Sequence, residues 1–273
     1  MAARPAEFVH SDFGLCFDCS SMKQPTDWIV PDWPAPPGVH AVCSTRTGGV
    51  SHGHYESMNL GDHVGDNAEF VAENRAMFER AIGARPVYMT QVHGTRVAAL
   101  DGNTEDGIEA DGCTTAMRGV ACTIMVADCL PVLLAAEDGS RVGAAHAGWR
   151  GLASGVVEAA VAKFAPAQTL VAWLGPCIGP DAFEVGDEVK AAFESRDAAA
   201  ARHFKPHREG KWLADLPSLA RMRLQASGVT RIYGNDGSRA WCTVSNESRF
   251  FSHRRDRISG RFAAAVWLSQ YTM

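Results

Sequence analysis

An almost uninterrupted apolar run extends from Gly119 to Ala127 and is stopped by Asp128 and Cys129. A short run of this kind, bounded by polar residues, is typical of a strand that is buried on both faces of a sheet. It is much shorter than the ~20 apolar residues that a membrane-spanning helix requires. No other apolar run in the chain is longer. We therefore predict a sheet in a globular interior and expect no membrane partner.

Strand-like and helix-like segments alternate along the rest of the chain. Apolar residues recur at helical spacing before the stop signal Gly83, which predicts a helix over 66–82. The same reasoning predicts helices over 151–164, 186–193 and 215–226, and strands over 39–45, 87–92, 120–127, 130–136, 141–145, 170–174, 231–233, 249–253 and 262–268. This mixture predicts an α+β fold, a single layered domain of mixed β-sheets covered by helices.

We predict that residues 28–273 form this one catalytic domain and that residues 1–27 are a poorly ordered N-terminal extension. The extension contains Met22, a candidate translation start that the intact mass of the native protein would test. It also contains Cys16 and Cys19 in a C-x-x-C arrangement. We expect no zinc or redox role for this pair, because neither a second pair nor a β-α-β context accompanies it.

Composition limits the class of partner and the compartment. Hydrophobic residues make up 46% and charged residues 21% of the chain, which is near the average for globular proteins. The net charge of −5 argues against a nucleic-acid partner. No apolar segment of a signal peptide follows the N-terminus. We therefore expect a cytoplasmic protein whose eight cysteines are reduced.

Three of the apolar runs end in a side chain that can bind a metal. His93, Cys129 and His146 follow the runs 87–92, 120–127 and 141–145. If these strands lie side by side with their ends together, two imidazoles and one thiolate converge. Such a set suits a catalytic zinc, which leaves one coordination position for water or substrate. It also suits copper, if a weak axial ligand is present, and inert packing residues are the competing interpretation.

Two glycine-containing segments favour a ligand-binding site. His146 opens the sequence His-Ala-Gly-Trp-Arg-Gly just before a predicted helix, where glycines let the backbone approach a ligand closely. Arg150 in this segment is a candidate contact. Arg46 leaves the first strand into Gly48 and Gly49, and its guanidinium suits phosphate or carboxylate.

Motifs along nearly the whole chain, from about Trp28, match one known family. The matching stretches are Pro31–Pro34, Ser44–Ser51, Met58–Gly61, Val64–Asp66, Glu73–Arg75, Gln91–Gly94, Ala110–Gly112, Ala127–Cys129, His146–Gly151, Gly175–Pro176, Ile178–Pro180, Phe183–Gly186 and Phe250–Asp256. Together they resemble the laccase-domain family. This family is also called multicopper polyphenol oxidoreductase, peptidoglycan editing factor, or purine nucleoside phosphorylase of the laccase-domain type.

The resemblance implies a zinc ion bound by His93, Cys129 and His146, with Arg46 as a phosphate or substrate contact. It implies phosphorolysis of adenosine, inosine and S-methyl-5'-thioadenosine, and hydrolytic deamination of adenosine to inosine. The partners are then a purine nucleoside and phosphate. We expect a monomer. The older label of copper-dependent polyphenol oxidation comes with the same family.

The remaining candidate contacts are polar residues of the matching stretches, and they comprise Asn59, Gln91, Asp111 and Asp128. Asp111 and Asp128 are equal candidates for the carboxylate that moves a proton. As a strand neighbour of Cys129, Asp128 is expected to point away from it. The chain departs from the family pattern at Phe183 and His253, where a tyrosine is common, and either change affects substrate choice.

Three other functions stay open at this point. A copper oxidoreductase acting on phenols would need several His-x-His pairs, and the chain has one, His52 and His54. A metal-free cysteine hydrolase acting on cell-wall precursors would use Cys129 and His146. A small-molecule binding module would bind its ligand without turnover.

Overall fold

The computed structural model describes residues 27–270, and these contain thirteen strands and six α-helices. The strands are β1 (Val39–Cys43), β2 (Arg85–Val87), β3 (Val97–Ala99), β4 (Gly112–Thr115), β5 (Val120–Val126), β6 (Leu130–Ala136), β7 (Val142–Ala147), β8 (Leu170–Leu174), β9 (Glu184–Gly186), β10 (Phe204–Pro206), β11 (Lys211–Ala214), β12 (Arg231–Gly234) and β13 (Phe262–Leu268). The helices are α1 (Ala68–Ile82), α2 (Trp149–Ser154), α3 (Val156–Val161), α4 (Asp187–Glu194), α5 (Leu216–Ala226) and α6 (His253–Asp256). Short 3₁₀ helices cover Gly53–Tyr55, Ala198–His203 and Arg239–Trp241.

The strands form three sheets. The first has the order β1-β13-β5-β2, the second β12-β8-β6-β7-β4-β3, and the third is a small sheet with the order β10-β11-β9. Both large sheets are mixed, since β2 runs parallel to β5 and β12 runs parallel to β8, whereas β13 and β6 pair antiparallel with their neighbours.

Alternate residues of the central strands face different layers, because side chains on a strand have a period of two. Val266 of β13 packs with Leu133 of β6 in a cluster between the two large sheets. Its neighbour Ala265 packs on the other side with Phe78 of α1. Leu134 belongs to a third cluster with residues of α2, α3, α4 and α5. The layers therefore run α1, four-stranded sheet, six-stranded sheet, and the remaining large helices.

This arrangement confirms the predicted α+β fold of mixed sheets covered by helices. The apolar run became β5, which is buried along its whole length. The predicted end of α1 is also confirmed, and the helix begins at Ala68, two residues later than predicted. The Asn67 side chain accepts a hydrogen bond from the Glu69 amide, and Gly83 ends the helix in the left-handed conformation, with φ +65°.

Three predicted elements differ from the structure. The helix over 151–164 is divided into α2 and α3 by Gly155, whose φ of +106° interrupts the helical backbone. The strand over 249–253 does not form. Ser252 instead caps α6 by accepting a hydrogen bond from the Arg255 amide.

The third difference is the strand over 87–92, of which only the first residue belongs to β2. Beyond it, the Gln91 side chain replaces the backbone pairing with β5. Its Nε2 donates to the Met125 carbonyl at 2.8 Å, and its Oε1 accepts from the Met125 amide at 2.9 Å. The backbone of this segment is thereby free to turn towards His93.

The predicted extension, with Cys16 and Cys19, lies outside the described residues except for Asp27, so the proposed domain boundary stays a prediction. Within residues 27–270, no helix is both long enough and apolar enough to cross a bilayer.

Candidate metal centre and adjoining cavity

The side chains of His93, Cys129 and His146 lie close together, and the three residues belong to a loop, a turn and a strand. His93 lies in the loop after β2, Cys129 in the turn between β5 and β6, and His146 inside β7. Their ligand atoms all lie within 4.8 Å of one another. Cys129 Sγ is 3.7 Å from His93 Nε2, and the two imidazole rings meet edge to face with centroids 4.7 Å apart. The structure thus brings together the three predicted ligands, although only Cys129 follows the end of its predicted strand.

The backbone around this cluster is strained. His93, Asp128 and Arg257 are the non-glycine residues with positive φ in the described part of the chain, at +61°, +93° and +64°. All three line the same cavity. Residues forced into this region cost of order 1–3 kcal/mol and concentrate at functional sites. Asp128 lies in this turn rather than on a strand, and it lines the cavity together with Cys129.

Asp111 forms hydrogen bonds with two of the three predicted ligands, His93 and His146. Its buried carboxylate accepts hydrogen bonds from the amides of His93 and Gly94, at 2.8 and 2.6 Å. It also accepts from Nδ1 of His146, at 2.8 Å. Since a carboxylate accepts the proton on Nδ1, the other ring nitrogen of His146 is left for the cluster. Asp111 is not among the residues that line the cavity, and its hydrogen bonds go to the residues of the cluster and its loop.

The electrostatics of the cluster favour a thiolate. Burial raises the pKa of Cys129, but the charge of His146 and hydrogen bonds from His146 and His93 outweigh burial and lower the pKa to about 6. Burial lowers the pKa of His146, but the Cys129 thiolate and the hydrogen bond to Asp111 raise it to about 9. Burial also raises the pKa of Asp111, which hydrogen bonds from His146 and the Gly94 amide bring below its usual value. A thiolate is the form of cysteine that binds metals.

Gly148 provides a geometric test of whether these residues fit a metal. A Cβ atom at this position would lie 2.9 Å from Cys129 Sγ and 2.8 Å from His93 Cδ2, so no larger side chain fits. The backbone conformation of Gly148 is otherwise ordinary, with φ −64°. The glycine therefore keeps open the space beside the donor atoms, and the donor set of two imidazoles and one thiolate is that of an open zinc site.

A cavity of about 370 Å³ opens onto this cluster. One group of lining residues is apolar and includes Trp149, Ile178, Phe183 and Leu216. A second group is basic, and it comprises His63, His253, Arg254, Arg257 and Arg261. Asp128 is the carboxylate among the described lining residues. The cavity therefore combines a metal-competent cluster with an apolar surface and a cationic one.

Asp128 ties the segment around α6 to the cluster. Its carboxylate accepts hydrogen bonds from the Thr243 hydroxyl at 2.6 Å, the Ser252 hydroxyl at 2.7 Å and the Arg254 amide at 2.6 Å. Its own carbonyl accepts from the Ile178 amide at 2.9 Å. Three separate chain segments are thereby held against the turn that carries Cys129.

Of the other predicted substrate contacts, only Gln91 lines this cavity. Its side-chain amide is bound to the backbone of β5. Arg46 lines a different depression, and its guanidinium donates to the carbonyls of Glu56 and Glu247. Asn59 is buried behind the cavity, and Arg150 is exposed and stacks on the ring of Trp149.

Sequence reasoning did not assign several lining residues to the site. Arg254 and Arg257 belong to a basic stretch for which a solvated surface is the commoner explanation and contact with an anion the less common one. His63, Leu216 and Arg261 carry no local signal, because packing between distant segments brings them to the cavity.

Comparison with known proteins gives consistent results. A family model described as multi-copper polyphenol oxidoreductase laccase matches residues 40–269. A purine nucleoside phosphorylase of Pseudomonas aeruginosa is 49% identical over 243 residues, covering 88% of this chain and 98% of the relative. The purine nucleoside phosphorylase YfiH of Escherichia coli is 48% identical with the same coverage.

Solved structures resemble the chain over a similar length. A Neisseria meningitidis protein of the DUF152 family shares 45% identity at a TM-score of 0.82, covering 89% of this chain and 99% of the other. YlmD of Geobacillus stearothermophilus shares 30% identity at a TM-score of 0.80, covering 91% and 98%.

Proposed function

Since the chain belongs to the family described as multi-copper polyphenol oxidoreductase laccase, we propose that it is a zinc-dependent purine nucleoside phosphorylase that also deaminates adenosine. The names of relatives at 48–49% identity support the phosphorylase activity. The observation that carries the proposal is the cavity in which the cluster of His93, Cys129 and His146 meets an apolar and a cationic surface. A nucleoside and a phosphate need these two surfaces together.

Phosphorolysis exchanges one bond at the ribose. The bond between C1′ and the purine nitrogen breaks, and a phosphate oxygen forms the new bond to C1′. The electron pair of the broken bond leaves with the purine, which takes up a proton. We propose adenosine, inosine and S-methyl-5'-thioadenosine as substrates. Adenosine and inosine yield the free base and ribose 1-phosphate, and S-methyl-5'-thioadenosine yields adenine and 5-methylthioribose 1-phosphate.

The apolar lining suits the purine. Phe183 and Trp149 present aromatic rings to the cavity, and Ile178 and Leu216 add aliphatic surface. These groups bind a flat heterocycle by excluding water and by stacking. Positioning of the nucleoside against phosphate in this enclosed space supplies much of the catalysis expected for such a transfer.

His93, Cys129 and His146 would hold the zinc ion, with Asp111 orienting His146 and the loop of His93. Bound there, zinc would supply a Lewis acid and activate water. Deamination adds water at C6 of adenosine and releases ammonia. We assign the accompanying proton transfer to Asp128, because this residue lines the cavity whereas Asp111 does not.

The test measures products and metal together. Zinc-replete wild-type protein is incubated with each nucleoside, with and without inorganic phosphate. We expect free base only when phosphate is present, and inosine from adenosine in both cases. Cys129→Ala should lose zinc and both activities, whereas Cys43→Ala, which removes a buried thiol between the sheets, should keep them. Wild-type protein with stoichiometric zinc that releases neither base nor inosine would refute the proposal.

Copper oxidation of phenols is a weaker candidate. Such chemistry needs several copper sites, and residues 27–270 contain one group of three side chains close enough to share an ion. His52 packs against the ring of Phe70 and is not part of that group. Copper content together with oxygen uptake on a phenol would favour this function instead.

A metal-free cysteine hydrolase is favoured by one observation. Asp111, His146 and Cys129 form a chain of interactions like that of an acid, a base and a nucleophile. Bound zinc should protect the thiolate from alkylation. Iodoacetamide that inactivates the protein equally with and without zinc would support this alternative.

We also propose a cytoplasmic monomer whose partners are purine nucleoside and phosphate. The described cysteines are all free thiols, which suits a reducing compartment. Light scattering coupled to size-exclusion chromatography would test the monomer.

A further inference from the structure

Three arginines, Arg254, Arg257 and Arg261, line the cavity that opens onto the ligand cluster. None of them forms an ion pair with a carboxylate within residues 27–270. The carboxylate among the lining residues, Asp128, already accepts three hydrogen bonds. The cavity therefore contains three guanidinium groups, none of which is directly paired with a carboxylate of the described residues.

Arg261 is held firmly in place. Its amide donates to Asn59 Oδ1 at 2.8 Å, and the Gly61 amide donates to the same oxygen at 2.9 Å. A Cβ atom at Gly61 would lie 2.8 Å from Arg261 Cγ, so the side chain packs directly on that glycine. One guanidinium nitrogen donates to the carbonyls of Ser259 and Gly260. Asn59 therefore positions Arg261.

Arg261 lines the same cavity as His93, Cys129 and His146. Burial lowers its pKa, while the charges of Cys129 and Asp128 act in the opposite direction. A partly buried cation destabilises the protein when no opposite charge is paired with it, and a bound anion supplies that opposite charge.

Arg257 and Arg254 extend the cationic surface. Arg257 has a left-handed backbone, and its guanidinium has no hydrogen-bonding or ring partner within residues 27–270. Arg254 lies over the ring of Phe183, with its guanidinium carbon 5.6 Å from the ring centroid, and donates to the Glu184 carbonyl. The cationic and apolar surfaces of the cavity thus meet at Phe183.

Arg46, the phosphate contact expected from the family resemblance, has different surroundings. Its guanidinium carbon lies 4.8 Å from the centroid of the Phe251 ring, and two main-chain carbonyls accept its hydrogen bonds. The depression that it lines also contains Glu56 and Glu247 and does not contain the ligand cluster.

We propose that Arg257 and Arg261, supported by Arg254, form the subsite that binds inorganic phosphate during phosphorolysis. Guanidinium groups suit this task because they bind phosphate through two parallel hydrogen bonds. This inference rests on the proposed function for its substrate, and it assigns the binding of phosphate to residues different from Arg46.

The test compares Arg257→Gln and Arg261→Gln with two other variants. Arg46→Gln tests the alternative phosphate contact that the family resemblance implies. Arg80→Gln is the matched control, since Arg80 is exposed on α1 and does not line the cavity. For each, the KM for phosphate and kcat are measured with adenosine as co-substrate. Phosphate binding to the zinc-loaded protein without nucleoside is measured separately by calorimetry.

We expect the KM for phosphate to rise at least about tenfold in Arg257→Gln and Arg261→Gln, because each loses a charge-assisted hydrogen bond. The KM for adenosine should change much less, and Arg80→Gln should match wild type. Arg261→Lys retains the charge and should recover part of the phosphate affinity, which separates binding from a folding defect. A KM for phosphate that is unchanged in both glutamine variants, or raised only in Arg46→Gln, overturns the subsite.

The two measurements also separate this inference from the proposed function. Wild-type protein that binds phosphate but releases no base refutes the phosphorylase function. The subsite then stands if the glutamine variants lose that binding and falls if they keep it. Wild-type protein that binds no phosphate and shows no phosphate-dependent turnover refutes both.

Discussion

Gly148 lies beside the cluster of His93, Cys129 and His146, and the geometry of this cluster depends on the absence of a side chain at position 148. We expect Gly148→Ala to reduce zinc affinity and phosphorolysis by at least about tenfold, because the new methyl group displaces Cys129 Sγ or the His93 ring. Zinc competition with a chelating dye measures the affinity. Gly102→Ala is the control, since a Cβ at that position meets nothing within 4 Å. Equal zinc affinity in both variants would contradict the assigned geometry.

At the same scale, the Asp111 carboxylate makes the stability of the folded protein depend on pH. An asparagine accepts through one atom only, so Asp111→Asn leaves buried donors unpaired and should cost about 1–3 kcal/mol at pH 7. The pKa of Asp111 is lowered in the folded protein, so its stabilisation is present above the unfolded value of 3.8 and is lost as pH falls through the folded value. Urea unfolding of the metal-free proteins should therefore show the difference from wild type shrinking below about pH 4.

The control for that series is Asp181→Asn, because Asp181 is exposed. This variant should follow the wild-type pH profile throughout. An Asp111→Asn deficit that stays constant from pH 7 to pH 3 would show that its carboxylate charge does not contribute.

At the scale of elements, Asp128 anchors the segment that begins at Ser252 and contains α6. We expect Asp128→Ala to speed amide exchange in residues 252–257 by about 10–100-fold, because the charge-assisted bonds to Ser252 and Arg254 are lost. Exchange in α1, which packs on the far side of the four-stranded sheet, should not change and serves as the internal control. Unchanged exchange in 252–257 would mean that other contacts hold the segment.

The same scale shows what the sequence predicts and where it fails. Central strands such as β5 are buried on both faces, so their apolar runs identify them directly. The apolar run before His93 has a similar sequence pattern. There, however, the Gln91 side chain forms the hydrogen bonds with the Met125 backbone, and the strand ends early. The proximity of the three candidate ligands was therefore predicted from a partly incorrect geometry, since His93 lies in a loop and His146 inside β7.

At the scale of the whole molecule, the three ligands come from segments that only the folded chain brings together. Zinc should therefore stabilise the native state by about 2.7 kcal/mol at a free concentration 100 times its Kd. For a domain of this size, that corresponds to a rise in Tm of about 5–10 °C. Calorimetry with and without a chelator measures it. Cys129→Ala should show no such difference, and an equal chelator effect in both proteins would place the zinc elsewhere.

Long-range packing also explains the part of the site that the sequence did not reveal. Arg261 directly precedes the last strand and is positioned by Asn59, which lies 202 residues earlier in the chain. Neither residue carries a local pattern that indicates the other. The candidate metal ligands could be identified from the sequence because histidine and cysteine have few competing roles, whereas an arginine is usually a surface residue.

The central claim is that this cavity transfers a ribosyl group to phosphate. Quantifying the products formed from adenosine by zinc-loaded protein, in an excess of inorganic phosphate, tests it most directly. Because part of the adenosine is deaminated to inosine, we predict that ribose 1-phosphate equals the sum of adenine and hypoxanthine, and that all three disappear when phosphate is omitted. Free base released with free ribose, or no free base at all from fully zinc-loaded protein, would contradict the claim.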